Sequence, residues 1–100
     1  MADGGKPTET QRMPTSQTLE HAVKLSIVED KPVMLDYWVP SLTGKALIGV
    51  RGNADKLLVK SEEEYTSPIQ KLYKSGQEYI IMTENSIYLV CNEIKSRKIS

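Results

Sequence analysis

A change of hydrophobic period at Pro32 constrains the fold of this chain more than any other feature. Before Pro32, apolar residues recur at helical spacing, and Glu20 and Lys24 lie on the opposite face. After Pro32, apolar side chains alternate, which is the period of a strand. The proline ring disfavours helical geometry at Lys31, so the helix must end before it. The sequence therefore predicts one N-terminal helix followed by strands.

The predicted helix begins at Thr15 or Ser16, since either hydroxyl can act as an N-cap, and it ends near Glu29. Its charged face is expected to be solvated, and His21 lies on that face. Its apolar face is expected to pack on the strands and comprises Leu19, Ala22, Val23, Leu25, Ser26 and Ile27.

The alternating pattern predicts five or six short strands with short connections. They span residues 33–39, 46–50, 56–60, 78–83 and 87–91, with residues 69–73 as a short strand or a loop. Short connections favour sequential antiparallel pairing. We therefore expect an α+β domain in which the helix precedes a five- or six-stranded antiparallel meander, flat or curled into a half-open barrel.

A chain of 100 residues is long enough for one ordinary domain. Residues 1–16 are polar and rich in glycine and proline, which predicts a tail that cannot bury enough surface to order by itself. Residues 17–93 form the predicted α+β domain. Residues 94–100 are expected to form a frayed basic tail that contains Lys95, Arg97 and Lys98.

Charge and cysteine content narrow the expected location. Thirteen basic residues balance thirteen acidic ones, and no apolar run approaches the roughly 18 residues of a membrane span. Cys91 is the single cysteine, which excludes an intramolecular disulfide and fits a reducing compartment. The first ten residues show no secretory h-region. We expect a chain that is not secreted and that resides in the cytoplasm.

The sequence contains no recognisable catalytic or metal-binding motif. A catalytic His21 would need a nucleophile and an orienting acid, and one His with one Cys cannot supply a four-ligand zinc site. The acidic run Glu62–Glu64 is typical of a solvated loop. The short C-terminal basic stretch lacks the aromatic platform expected of specific nucleic-acid recognition. We expect no enzymatic activity, no cofactor and no nucleic-acid partner.

Three residues are candidates for partner binding: Met13, Met34 and Trp38. If Tyr37 faces the core of a strand, the adjacent Trp38 faces outward beside Met34 and could anchor a partner. In the alternative interpretation, the tail or the helix covers Trp38. The alternating pattern alone does not decide between an exposed and a covered Trp38.

Three segments carry a family resemblance: residues 31–38 (KPVMLDYW), 57–69 (LLVKSEEEYTSPI) and 83–88 (TENSIY). They resemble small virion-associated proteins of large double-stranded DNA viruses. The resemblance implies a minor capsid component that resides in the virion and whose partners are other protein subunits, capsid proteins among them. The alternative is an intracellular adapter that binds a protein or peptide through a sheet edge or the Trp38 surface.

Overall fold

The structure, a computed structural model, describes residues 12–99. These residues form two helices and seven strands. In chain order they are α1 (Ser16–Glu29), β1 (Val33–Met34), α2 (Trp38–Leu42), β2 (Leu47–Val50), β3 (Lys56–Val59), β4 (Ile69–Ser75), β5 (Glu78–Thr83), β6 (Ile87–Cys91) and β7 (Lys95–Lys98).

Helix α1 confirms the predicted limits. Thr15 is its N-cap, and the Thr15 hydroxyl accepts a hydrogen bond from the backbone N–H of Thr18. At the other end Asp30 adopts a left-handed conformation with φ of 56°, two residues before Pro32. Such a left-handed residue is a common way to end a helix.

The buried face of α1 is narrower than predicted. Thr18 and Ala22 are buried, whereas Val23 is 53% exposed and Ile27 is 76% exposed. Ile27 follows Thr18 by nine positions, which at about 100° per residue places it on the opposite side of the helix. The prediction that Val23 and Ile27 pack on the strands is therefore wrong, because the sheet contacts α1 along the line through Thr18 and Ala22.

The strands form two mixed sheets. The four-stranded sheet has the order β1-β6-β5-β4, in which β4, β5 and β6 are antiparallel neighbours and β1 is parallel to β6. The three-stranded sheet has the order β3-β2-β7, with β2 antiparallel to β3 and parallel to β7. Each sheet thus has two edge strands.

The α+β class is confirmed, but the single meander is only partly present. Strands β4, β5 and β6 follow one another as an antiparallel meander, while β2 and β3 belong to the second sheet, and the sheets do not close into a barrel. The reason lies in β5 and β6, where side chains on both faces are buried. A strand that is apolar on both faces needs a layer on each side. The second sheet covers one face and the helices cover the other.

Two apolar clusters correspond to these layers. The first lies between the helices and the four-stranded sheet, and its buried members are Ala22, Trp38, Ile80, Met82, Ile87, Leu89 and Cys91. The second lies between the two sheets and comprises Tyr37, Ala46, Ile48, Leu58, Ile81 and Val90. Alternate residues of β5 and β6 therefore contribute to different clusters, as the period of a strand requires.

The strand predicted over residues 33–39 is wrong beyond Met34. The backbone N–H of Trp38 donates to the carbonyl of Leu35 across 3.1 Å, and the Ser41 N–H donates to the Tyr37 carbonyl across 3.0 Å. These bonds close a turn and then the first turn of α2. Pro40 is tolerated there because the first N–H groups of a helix need no intrahelical partner.

The structure also differs from the frayed tail predicted over residues 94–100. Lys95–Lys98 form β7, which pairs in parallel with β2, and the Ile99 N–H donates to the Val50 carbonyl across 2.9 Å. Ile94 packs against the second cluster and brings the following residues to β2. The sequence pattern did not show this strand, because all four residues are exposed and three of them are charged.

Neither helix within residues 12–99 is long and apolar enough to span a bilayer.

Candidate functional site

A buried polar cluster fastens the N-terminal segment to the turn between β4 and β5. Glu78 is fully buried, and its Oε1 atom accepts hydrogen bonds from the Thr18 hydroxyl at 2.5 Å and the Thr15 hydroxyl at 3.0 Å. Its Oε2 atom lies 3.1 Å from the Arg12 guanidinium. The Ser75 hydroxyl lies 2.9 Å from that of Thr18. We call these five residues the Glu78 cluster.

The cluster keeps Glu78 ionised. Burial raises the pKa of its carboxyl group, but hydrogen bonds from Thr18, Thr15 and Arg12 favour the charged form and bring the pKa below its ordinary value. Each carboxylate oxygen has a donor from the protein, and neither is open to solvent. In this conformation Glu78 is engaged in holding the N-terminal segment, so we assign it no role as a base.

Arg12 joins the cluster to Trp38. The Arg12 carbonyl accepts a hydrogen bond from Trp38 Nε1 at 2.7 Å, and the guanidinium carbon lies 5.5 Å from the centre of the Trp38 ring. Arg12 Nη1 also lies 3.7 Å from Cys91 Sγ. Residues 12–15 therefore lie over the first apolar cluster. They belong to the tail predicted over residues 1–16, of which residues 1–11 lie outside the described part.

The structure separates the three predicted partner-binding residues. Met13 is 69% exposed and Met34 is 37% exposed, whereas Trp38 is only 5% exposed. The outward orientation considered for Trp38 is wrong, because Trp38 begins α2 and its side chain packs in the first cluster beneath Arg12. No surface is formed by Trp38. Met13 and Met34 remain candidates.

An exposed apolar segment follows Met34. Leu35 is 53% exposed and Val39 is 41% exposed, although strand alternation would place both on the same face as Tyr37, which is buried. We call Met34, Leu35 and Val39 the apolar segment. Sequence reasoning missed Leu35 and Val39 because it extended the strand through a turn. Pro40 gave no signal against this strand, because the predicted strand already ended at residue 39.

The edge strand β4 provides a second exposed surface, which the sequence left open between a strand and a loop. Six of its seven residues pair with β5 on one side, with a register shift at Gln70, and no strand within residues 12–99 pairs with the other side. Leu72 is 42% exposed, and Lys71 and Lys74 are exposed. An unpaired strand edge offers backbone N–H and C=O groups to another chain. We call this surface the β4 edge.

Lys60 organises the surface around the acidic loop. Its Nζ atom lies 3.8 Å from a carboxylate oxygen of Asp36, 3.8 Å from one of Glu64, and 4.6 Å from the centre of the Tyr37 ring. Burial, followed by the charge of Asp36, raises the pKa of Tyr37 to about 12. Glu64 is mostly exposed, as expected of a solvated acidic loop.

The remaining chemistry-bearing residues occupy ordinary structural positions. The His21 ring meets the Tyr73 ring edge-to-face at 5.6 Å between centroids, and Cys91 is buried. In the described part of the chain, His, Cys, Asp and Glu side chains form no group of three or more that could hold a metal ion. The two exposed surfaces therefore remain as the candidate functional sites.

Comparison of the chain with family models, with curated proteins and with solved structures finds no match.

Proposed function

We propose that this chain is a non-enzymatic structural or interaction protein. The observation that carries the proposal is the apolar segment, where three large side chains within six residues are 37%, 53% and 41% exposed. Grouped apolar side chains at a surface are typical of protein-protein contacts. A second protein that covers Met34, Leu35 and Val39 would remove them from water.

In its most specific form, the proposal is that the chain is a minor capsid component of a large DNA virus. The resemblance of residues 31–38, 57–69 and 83–88 supports this form, and residues 31–38 include Met34 and Leu35 of the apolar segment. Its partners are then other capsid subunits, and it resides in the virion. Met13 is a further candidate contact, since it is exposed beside the anchored Arg12.

Quantitative mass spectrometry of purified virions tests the capsid proposal. The chain should be present at a fixed ratio to the major capsid protein after repeated washing of the particles. If it is abundant in infected cells and absent from washed particles, the capsid proposal is wrong.

The apolar segment is tested separately by Leu35→Glu, with Val23→Glu as the matched control. Both side chains are 53% exposed, so the two substitutions place the same charge at equally accessible positions on different surfaces. Leu35→Glu should abolish incorporation into particles while the purified variant stays folded. Equal incorporation of both variants would contradict a contact at the apolar segment.

The second candidate function is an intracellular adapter that binds a protein or peptide through a sheet edge. The β4 edge favours it, because it is long enough to pair with a partner strand and has no neighbour on its outer side among the described residues. Trp38, which is buried, is no longer part of this candidate. A cytoplasmic complex of constant size in gel filtration, formed without particles, would favour the adapter.

A further inference from the structure

The backbone geometry of β4 determines which of its groups a partner can reach. A two-residue turn joins β4 to β5, with Gly76 at φ of 59° in its first position and Ser75 paired with Glu78. A turn with glycine at that position closes a hairpin in which the flanking residues exchange hydrogen bonds. Alternate residues bond to β5, so Leu72 and Lys74 direct their N–H and C=O groups outward.

A groove lies beside these outward groups. It has a volume of about 420 Å³, and its lining is mostly polar, with apolar side chains such as Ile48, Ile69, Leu72 and Ile94 among the polar ones. Leu72 and Lys74 stand opposite Ile81 and Tyr79 of β5 and share the face of the sheet that this groove borders. A strand added to β4 would place alternate side chains toward the groove. The β4 edge thus combines backbone pairing groups with a place for alternate side chains of an added strand.

The charge along this edge is positive in a chain whose formal net charge is zero. Lys71 and Lys74 are exposed on β4, and Lys31 Nζ lies 3.3 Å from the Gln70 side-chain oxygen. On the other rim of the groove Asp55 and Lys56 offset each other. An occupant with acidic side chains therefore matches the edge.

A second copy of the chain fits this edge poorly. Pairing of two β4 strands would bring Lys71 and Lys74 of both copies onto one ladder. Like charges that stand directly opposite each other are destabilising, and β4 has no acidic residue that could offset the lysines of a second copy. The occupant is therefore a different chain.

We propose that the β4 edge binds an extended acidic segment of a partner protein as an added strand, with alternate side chains of that segment directed toward the groove. The inference rests on the proposed interaction function and names the chemistry of the partner. The backbone of β4 supplies the hydrogen bonds, and Lys31, Lys71 and Lys74 favour acidic residues over basic ones.

The test is a titration of the isotope-labelled protein with synthetic peptides, followed by amide chemical shifts. The probe is a peptide of about eight residues that alternates valine with glutamate, a length that matches a bound strand. Shifts should concentrate on residues 69–75 and weaken as salt is added. A peptide that alternates valine with lysine and a backbone N-methylated copy of the acidic probe should not bind.

Two double variants with the same change of charge complete the test. K71E/K74E should weaken binding of the acidic probe by at least about tenfold. K95E/K98E, on the exposed edge strand β7, should leave the affinity within about twofold. The amide spectrum of each variant shows whether it is folded.

Three results would overturn the proposal: tight binding of the N-methylated probe, equal effects of the two double variants, or equal affinity of the edge for single-stranded oligothymidine. If the acidic probe fails to bind while washed virions still contain the chain, this inference alone is wrong. If it binds at β4 and virions lack the chain, only the capsid proposal is wrong.

Discussion

Glu78 shows how a single buried charge attaches the N-terminal segment to the fold. Its carboxylate contacts Arg12 and Thr15, which precede α1, and Thr18, which lies within α1. Sequence reasoning found the N-cap from local chemistry, because a hydroxyl before an apolar helical pattern is a local signal. It missed Glu78, since no local pattern shows which charge on a strand is buried 63 residues from its partner Thr15.

We expect Glu78→Gln to destabilise the protein by about 2–4 kcal/mol, because the amide cannot accept from all of these donors and leaves Arg12 unpaired. Urea unfolding at neutral pH measures the change. Glu64→Gln is the matched control, since Glu64 is 67% exposed at its ion pair with Lys60, and it should cost less than about 0.5 kcal/mol. Equal effects of the two substitutions would contradict the structural role of Glu78.

The same variant has a defined pH dependence. The pKa of Glu78 is lower in the folded chain than its ordinary value of 4.5, so its contribution is complete above that pH and is lost as the pH falls through the folded-state pKa. The difference in unfolding free energy between the natural chain and Glu78→Gln should therefore narrow as the pH is lowered below 4.5. A difference that stays constant or widens on acidification would show that the pKa is not lowered.

Trp38 gives a further prediction at this scale. Trp38→Ala should cost about 3–5 kcal/mol, because it removes a buried aromatic ring from the first cluster. Trp38→Phe keeps much of the volume and should cost less, although it loses the hydrogen bond to the Arg12 carbonyl. Urea unfolding compares them. In the natural chain, strong quenching of the single tryptophan by acrylamide would show instead that Trp38 is exposed.

At the scale of elements, the sequence predicted helices and strands best where a single pattern indicated both the hydrophobic period of the element and the residues at which it begins and ends. α1 and the pair β5–β6 are such cases, with a cap, a proline or a turn at their limits. The strand predicted over residues 33–39 is too long, because the alternation of apolar residues continues across a turn and into α2. β7 was missed because its pairing with β2 is set by tertiary contact, and its exposed charged side chains show no apolar period.

Removal of residues 95–100 tests β7. We expect a loss of about 1–3 kcal/mol, because β2 would lose its parallel neighbour and Val50 would lose its hydrogen bond from the Ile99 N–H. Thermal or urea unfolding of the truncated chain measures this loss. Lys98→Gln keeps the backbone pairing and alters only an exposed side chain, so it should have little effect. A truncated chain as stable as the full one would restore the interpretation of a frayed tail.

At the scale of the whole molecule, each of the two stacked sheets has two edge strands. An unpaired strand edge can bind a partner chain. The sequence indicated the class because helix and strand periods are encoded locally. It could not indicate how strands divide between sheets, since that depends on which faces of β5 and β6 need cover. That division makes β4 an outer strand of its sheet. The apolar segment lies where β1 ends and the chain turns into α2.

Cross-linking mass spectrometry of cells that produce this chain tests the claim of an interaction protein most directly. Lys71 and Lys74 lie on the β4 edge and react with amine-specific reagents, while Lys95 and Lys98 on β7 provide an internal comparison. We predict that Lys71 and Lys74 form reproducible cross-links to a different protein and that Lys95 and Lys98 do so far less often. Cross-links from Lys71 and Lys74 that reach only this chain, at the frequency seen for Lys95 and Lys98, would contradict it.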